Sequence, residues 1–186
     1  YTVALADGTD GTSVGIDVIS NDQISVDATV PPIFTLAFGA NVDHLGTLST
    51  SSLSTSGGVT LTVTTNAANG WGLWAEDSNA GLHSTAANHT IASLSAGANH
   101  TMNGGVIGTE AYVLGVTTAN ATTAYADAGG ITGGGLSSSA FNEIASASAP
   151  TAGSSVTVKE LADMSGITQA APDYADTVTI IGAGSF

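Results

Sequence analysis

Apolar and polar residues alternate along much of this chain. Over residues 22–30, Ile24, Val26, Ala28 and Val30 share one parity and Ser25, Asp27 and Thr29 the other, which predicts a half-buried strand. Pro31 and Pro32 end that run, since neither can donate a ladder hydrogen bond. Residues 33–38 predict the next strand. Residues 59–65 give the clearest one, with Val59, Leu61 and Val63 alternating with Thr60, Thr62 and Thr64. Residues 71–76 follow across Asn66 to Gly70, where Asn69-Gly70 predicts a tight reversal. Trp71 and Trp74 are an odd number of positions apart, so one ring is expected in the core and the other outside. Residues 111–117, 155–161 and 176–181 predict further strands. In the last, Tyr174, Asp176, Val178, Ile180 and Phe186 share a parity, which buries Phe186 if the strand runs straight to it. Helical spacing is weak, and only residues 140–147 suggest a turn or two of helix.

Short β runs joined by Gly, Ser, Thr and Asn turns predict an all-β sandwich occupying residues 21–186. Ahead of it, Val14, Ile16 and Val18 alternate with Gly15 and Asp17, and Val3 and Leu5 form a shorter run beyond a Gly/Asp hinge at residues 7–11. Residues 1–20 therefore read as an extended arm with its own strand pattern. Residues 127–139 hold Gly129, Gly130, Gly133, Gly134 and Gly135 and predict a flexible surface loop. No Lys-Ser or Lys-Thr follows to make it a phosphate cradle.

Composition narrows the partners. The 186 residues carry a formal charge of −14, yet only 9% of them are charged, against roughly 25% in ordinary domains. Lys159 is the single Lys or Arg, which excludes the multiple phosphate contacts that nucleic acid or anionic lipid requires. No apolar run reaches the roughly 18–20 residues of a membrane-spanning helix. Cysteine is absent, so disulfides and thiolate metal sites are excluded. Tyr1 in place of an initiator methionine, together with the Ser/Thr/Gly/Ala bias, predicts a secreted or cell-surface protein whose signal peptide has been removed.

Candidate chemistry is sparse. His44, His83, His89 and His100 lack the helical spacing of a zinc hydrolase and read as exposed loop residues. No Gly-x-Ser-x-Gly elbow occurs, and Glu76 and Asp77 are adjacent, so a strand turns them to opposite faces. The expectation is a protein without catalytic residues or cofactors. Asp77 with Asn79, and Asp7 with Asp10, offer oxygens to calcium. However, Gly81 stands fifth and Asn88 twelfth where the helix–loop–helix pattern needs Gly sixth and Glu twelfth, and Asx-turns explain both segments equally. Asn88, Asn99 and Asn120 each begin an Asn-x-Thr glycosylation triplet. An outward tryptophan beside the glycine loop would offer a face for stacking on sugars.

Several stretches resemble a known family. Ser25-Val-Asp-Ala-Thr-Val-Pro-Pro32, Leu45-Gly-Thr-Leu-Ser49, Gly58-Val-Thr-Leu-Thr-Val-Thr-Thr-Asn-Ala-Ala-Asn-Gly70 and Asp77-Ser-Asn-Ala-Gly-Leu82 resemble secreted bacterial surface proteins with one Ig-like or jelly-roll sandwich. The ending from Tyr174 to Phe186 is similar to the last strands of spore-coat-U-type and archaic chaperone-usher pilins and of TasA/camelysin-like filament subunits. The cysteine pair of many chaperone-usher pilins is missing. The resemblance implies a non-enzymatic extracellular protein, assembling in its filament-forming relatives by donor-strand exchange.

Together these features lead to the expectation of a homopolymer: an extracellular filament subunit whose arm, through Val14, Ile16 and Val18 and secondarily Val3 and Leu5, completes a sheet of the neighbouring identical subunit. The alternative expectation is an adhesion module that binds host or cell-surface glycans.

Overall fold

The computed structural model describes residues 2–6, 8–9, 11–16, 23–102 and 106–186, with the backbone alone described for 2–6 and 11–14. The fold is all-β: its named strands pair antiparallel, and no α-helix occurs among the described residues. The strands are β1 (Thr2–Ala6), β2 (Gly11–Gly15), β3 (Phe34–Phe38), β4 (Ser54–Thr55), β5 (Val59–Thr65), β6 (Trp71–Asp77), β7 (Gly81–Ser84), β8 (His89–Ala92), β9 (Asn99–Thr101), β10 (Ala111–Thr118), β11 (Thr132–Gly134), β12 (Asn142–Ala147), β13 (Thr151–Asp163) and β14 (Val178–Gly184).

Two units are distinct, Tyr1–Pro31 and Pro32–Phe186. In the first, β1 and β2 form a hairpin in the register Thr2↔Gly15 to Ala6↔Gly11. In the second, the larger sheet runs β3-β5-β13-β10-β11-β9, with β4 pairing β13 beyond the end of β5. A smaller sheet runs β12-β6-β14, and β7 and β8 form a separate hairpin.

The period-two residues explain why these strands pack. Leu61 and Val63 of β5, Leu114 and Val116 of β10 and Val156 and Val158 of β13 project from the larger sheet. They share one buried core with Trp71, Leu73 and Ala75 of β6 and Ile144 of β12. Val178 and Ile180 of β14 pack against that core from its margin. Each large apolar side chain so enclosed contributes roughly 1.5–3 kcal/mol. The opposite face of β10 and β13 is also covered, with Val113 and Leu161 packing on Met102, Leu53 and Leu94.

The structure departs from the sequence reading in several places. Residues 23–30 belong to no strand, and Ile24, Val26 and Val30 are 89%, 86% and 77% exposed. Their alternation specifies a face to be buried, but among the described residues no strand pairs with them. The Asn69-Gly70 turn does not close a hairpin: β5 and β6 lie in different sheets, so residues 66–70 carry the chain from one to the other. Gly70 is needed there, with φ +84° and its missing Cβ only 1.8 Å from the Ala147 carbonyl oxygen.

Residues 142–147 form β12 instead of helix. A register shift between Glu143 and Ala145 lets both Ile144 and Ala145 turn inward against β6. The glycine-rich stretch at 127–139 contains β11 and is partly buried rather than a loose surface loop. A Cβ on Gly134 would fall 2.0 Å from the Tyr125 ring, so these glycines serve close packing. Phe186 is 60% exposed, because β14 ends at Gly184 and the parity argument stops there. Ser185 instead exchanges backbone hydrogen bonds with Asn69 and Gly70. Finally, His83, His89 and His100 sit on β7, β8 and β9 and are half-buried; only His44 is an exposed loop residue.

Candidate functional site

Sheets need edges, and the second unit leaves two of them side by side. Among the described residues, β3 pairs only with β5 and β14 only with β6. The two strands touch at one end, where Phe34 covers Gly182 so closely that a Cβ there would meet its ring at 2.8 Å. Beyond that contact, Phe38 of β3 and Val178 and Ile180 of β14 line a cleft of about 750 Å³. Its apolar walls include Phe38, Val42, Leu45, Val59, Val178 and Ile180. The other edge of the smaller sheet is less open, since Thr122 and Ser146 exchange two backbone hydrogen bonds at β12.

The depth of the cleft is polar. Tyr112 of β10 and Glu160 of β13 line it, joined by a 2.6 Å hydrogen bond from the phenol to Glu160 Oε2. Burial pushes the Glu160 carboxyl up to about 7; the Tyr112 bond opposes this, while the neighbouring Asp176, Asp43 and Asp77 add to it. The same burial, with the Glu160 charge, holds the Tyr112 phenol well above its usual range. Asp43 is fixed in the loop after β3 by the Ser56 hydroxyl and the Gly58 amide. Asp176 accepts from the Ser78 and Thr177 amides and the Ser78 hydroxyl just ahead of β14. Neither Glu160 nor Tyr112 was singled out from the sequence, yet both carried a signal. Glu160 shares the parity of Val156 and Val158, and Tyr112 that of Leu114 and Val116, so each had to face inward.

No family model, curated protein or solved structure matches this chain.

The sequence-derived candidates fall in different places. Asp7, Asp10 and Val18 lie outside the described residues. Val3 and Leu5 lie on β1 and Val14 on β2, strands paired with each other, and Ile16 just beyond β2 is 46% exposed. Asp77 is buried at the end of β6, where its Oδ1 accepts from the Ala80 amide at 3.0 Å. Asn79 is exposed and donates instead to Ser78 Oγ and Asp176 Oδ1, so the two proposed calcium ligands belong to different hydrogen-bonding groups. Among the described residues no group of three or more His, Asp or Glu side chains is placed to hold a metal ion. No helix among them is long and apolar enough to cross a membrane.

Asn88, Asn99 and Asn120 are all exposed. Asn88 occupies the β7–β8 turn with φ +49°, and the Asn99 amide donates to the Ala126 carbonyl. Trp71 is buried in the core as one of the two tryptophans was expected to be. Trp74 is half-buried, its ring lying over Gly72 at the side of an open hollow lined also by Asn120, Thr122, Glu143 and Ser146.

Proposed function

We propose that this chain is a structural subunit of an extracellular filament, in which the region ahead of β3 donates a strand to the next identical subunit. On this reading the two sheets of the second unit, facing each other across their shared core, form an Ig-like or jelly-roll sandwich that lacks one strand. The observation that carries the reading is the cleft between β3 and β14, where two sheet edges meet over an apolar hollow. Unpaired edges of this kind are templates for strand addition. The first unit brings β-patterned residues to such a site, and one donor strand and one acceptor cleft on each copy make a heterologous contact. Such contacts repeat without closing and give a fibre. The resemblance of residues 25–82 and 174–186 to surface-filament subunits supports the same reading.

Negative-stain microscopy of the full-length chain tests it. Uniform thin filaments, replaced by monomers when residues 1–31 are removed, are the expected result; a wild-type chain that stays monomeric at high concentration contradicts it.

One observation favours a second reading, a glycan-binding module on the cell surface. Trp74 presents a ring beside hydrogen-bonding groups on Asn120, Thr122 and Glu143, the pairing of stacking and polar contacts that sugars require. Monomers that bind a glycan array and lose that binding in Trp74→Ala would favour it.

A further inference from the structure

We infer that the donated strand is residues 23–30 of a second copy, laid along the free edge of β14 with Ile24, Val26, Ala28 and Val30 turned into the cleft. The inference rests on the donor-strand reading above and names its two halves.

Four observations lead to this segment in preference to residues 13–19. First, residues 23–30 are open to solvent throughout, and no hydrogen bond joins them to any described residue. A stretch whose alternate residues are Ile, Val, Ala and Val has the composition of a strand with one buried face, and here that face is bare. Second, β2 already has a partner. It ends at Gly15, so its hydrogen bonds to β1 occupy one edge and the stripe of Val14, Ile16 and Val18 extends beyond it. Third, the patterns agree. The stretch of β14 ahead of Gly182, where Phe34 closes on it, presents Val178 and Ile180 to the core and Thr179 and Ile181 outward. A paired strand in matching orientation puts Ile24 and Val26 inward and Ser25 and Asp27 outward, apolar to the cleft and polar to water.

The fourth observation concerns which copy is occupied. Ile33 is pinned at the Phe34 end of β3: its amide donates to Asn66 Oδ1 at 2.8 Å and its carbonyl accepts from Thr65 Oγ1 at 2.8 Å. Insertion into the cleft of the same chain would need a reversal within Pro31 and Pro32. The N–H that would close a turn across them is that of Ile33, already given to Asn66, and Pro32 keeps Pro31 out of the αR region that a type I turn needs. The two prolines suit a short stiff link between one subunit and the next.

The test uses the full chain and three variants, followed by sedimentation and negative-stain microscopy. Ile24→Asp combined with Val26→Asp should lower the sedimentable fraction at least tenfold, because both charges would be carried into the cleft. Those residues are exposed in the free chain, so circular dichroism should be unchanged and misfolding does not confuse the result. Ile16→Asp, and a chain lacking residues 1–20, should still polymerise. Hydrogen exchange at the β14 amides should slow at least tenfold in filaments relative to monomers. If Ile24→Asp/Val26→Asp assembles normally while Ile16→Asp does not, the donor is the earlier segment; the filament reading survives and this assignment is overturned. Unchanged exchange at β14 in genuine filaments overturns the acceptor. If the wild-type chain forms no filaments, the functional reading fails and this inference fails with it.

Discussion

Tyr112 and Glu160 stand on neighbouring strands, and their 2.6 Å hydrogen bond closes the deep end of the cleft beside β14. The pair gives stability a pH dependence whose sign is fixed. Glu160 holds its proton up to about pH 7 in the folded chain, against an ordinary value of 4.5. Between those values the folded state binds a proton that the unfolded state has released, so stability falls as pH rises through the interval and levels off above it. Asp173 acts in the opposite sense. The Ser84 hydroxyl and the Ala86 amide hold it below its ordinary 3.8, so its contribution is lost as the solution becomes more acid than that. The melting temperature should peak near pH 4 to 5 and decline towards pH 7. The decline amounts to at most about 3 kcal/mol, less whatever water in the cleft screens. Glu160→Gln should flatten the decline, and an equally steep decline in that variant would show that another group is responsible.

Asp77 offers a second electrostatic test. It is 1% exposed, its Oδ2 has no hydrogen-bond partner, and burial together with the Asp176 charge raises its pKa. Asp77→Asn keeps the Oδ1 acceptor for the Ala80 amide and replaces a buried charge with a donor. The variant should gain about 1 kcal/mol at pH 8, read as a higher melting temperature. A lower melting temperature, accompanied by a matching loss when chelator is added to the wild type, would mean that a cation supplies the missing charge.

Packing at β11 is tight enough to predict a large loss. Gly134 lies against the Tyr125 ring, and the Tyr125 hydroxyl donates to the Gly135 carbonyl at 2.9 Å and accepts from the Gly97 amide. Gly134→Ala must displace the ring and break that bridge, costing roughly 1–3 kcal/mol for the overpacking and more for the lost bonds. Gly129→Ala, with open space around the missing Cβ, meets only the strain of φ +72° and should cost less. Equal losses in chemical denaturation would contradict the packing argument.

These residues also show what the sequence made legible. Strands with one buried face were readable because Leu61, Val63, Val156 and Val158 alternate with hydroxyl residues, and the structure places them as that alternation requires. Residues 23–30 have the same alternation and form no strand, since periodicity encodes a face and not the partner that covers it. Residues 140–147 suggest helix because alanine and serine bring no bulk, and only pairing of residues 142–147 with β6, together with the shift at Glu143, draws Ile144 and Ala145 inward. The glycines of β11 suggested looseness when their meaning was proximity, which depends on Tyr125, a residue distant in neither sequence nor space. The cleft itself was not legible. It follows from β5 and β6 lying in different sheets, a long-range outcome that Asn69-Gly70 alone does not specify.

The absence of cysteine allows the central claim to be tested by cross-linking. Asp27→Cys combined with Ile181→Cys, and Ser25→Cys combined with Thr179→Cys, each place one thiol on the donor segment and one on the outward face of β14. A disulfide forms only where the two backbones approach within about 7 Å. After mild oxidation of assembled protein, denaturing electrophoresis without reductant should show a ladder of covalent multimers from at least one pair, collapsing to monomer on reduction. Single-cysteine controls should give at most dimers. Filaments in which both double variants remain monomeric on the gel would contradict strand donation along β14.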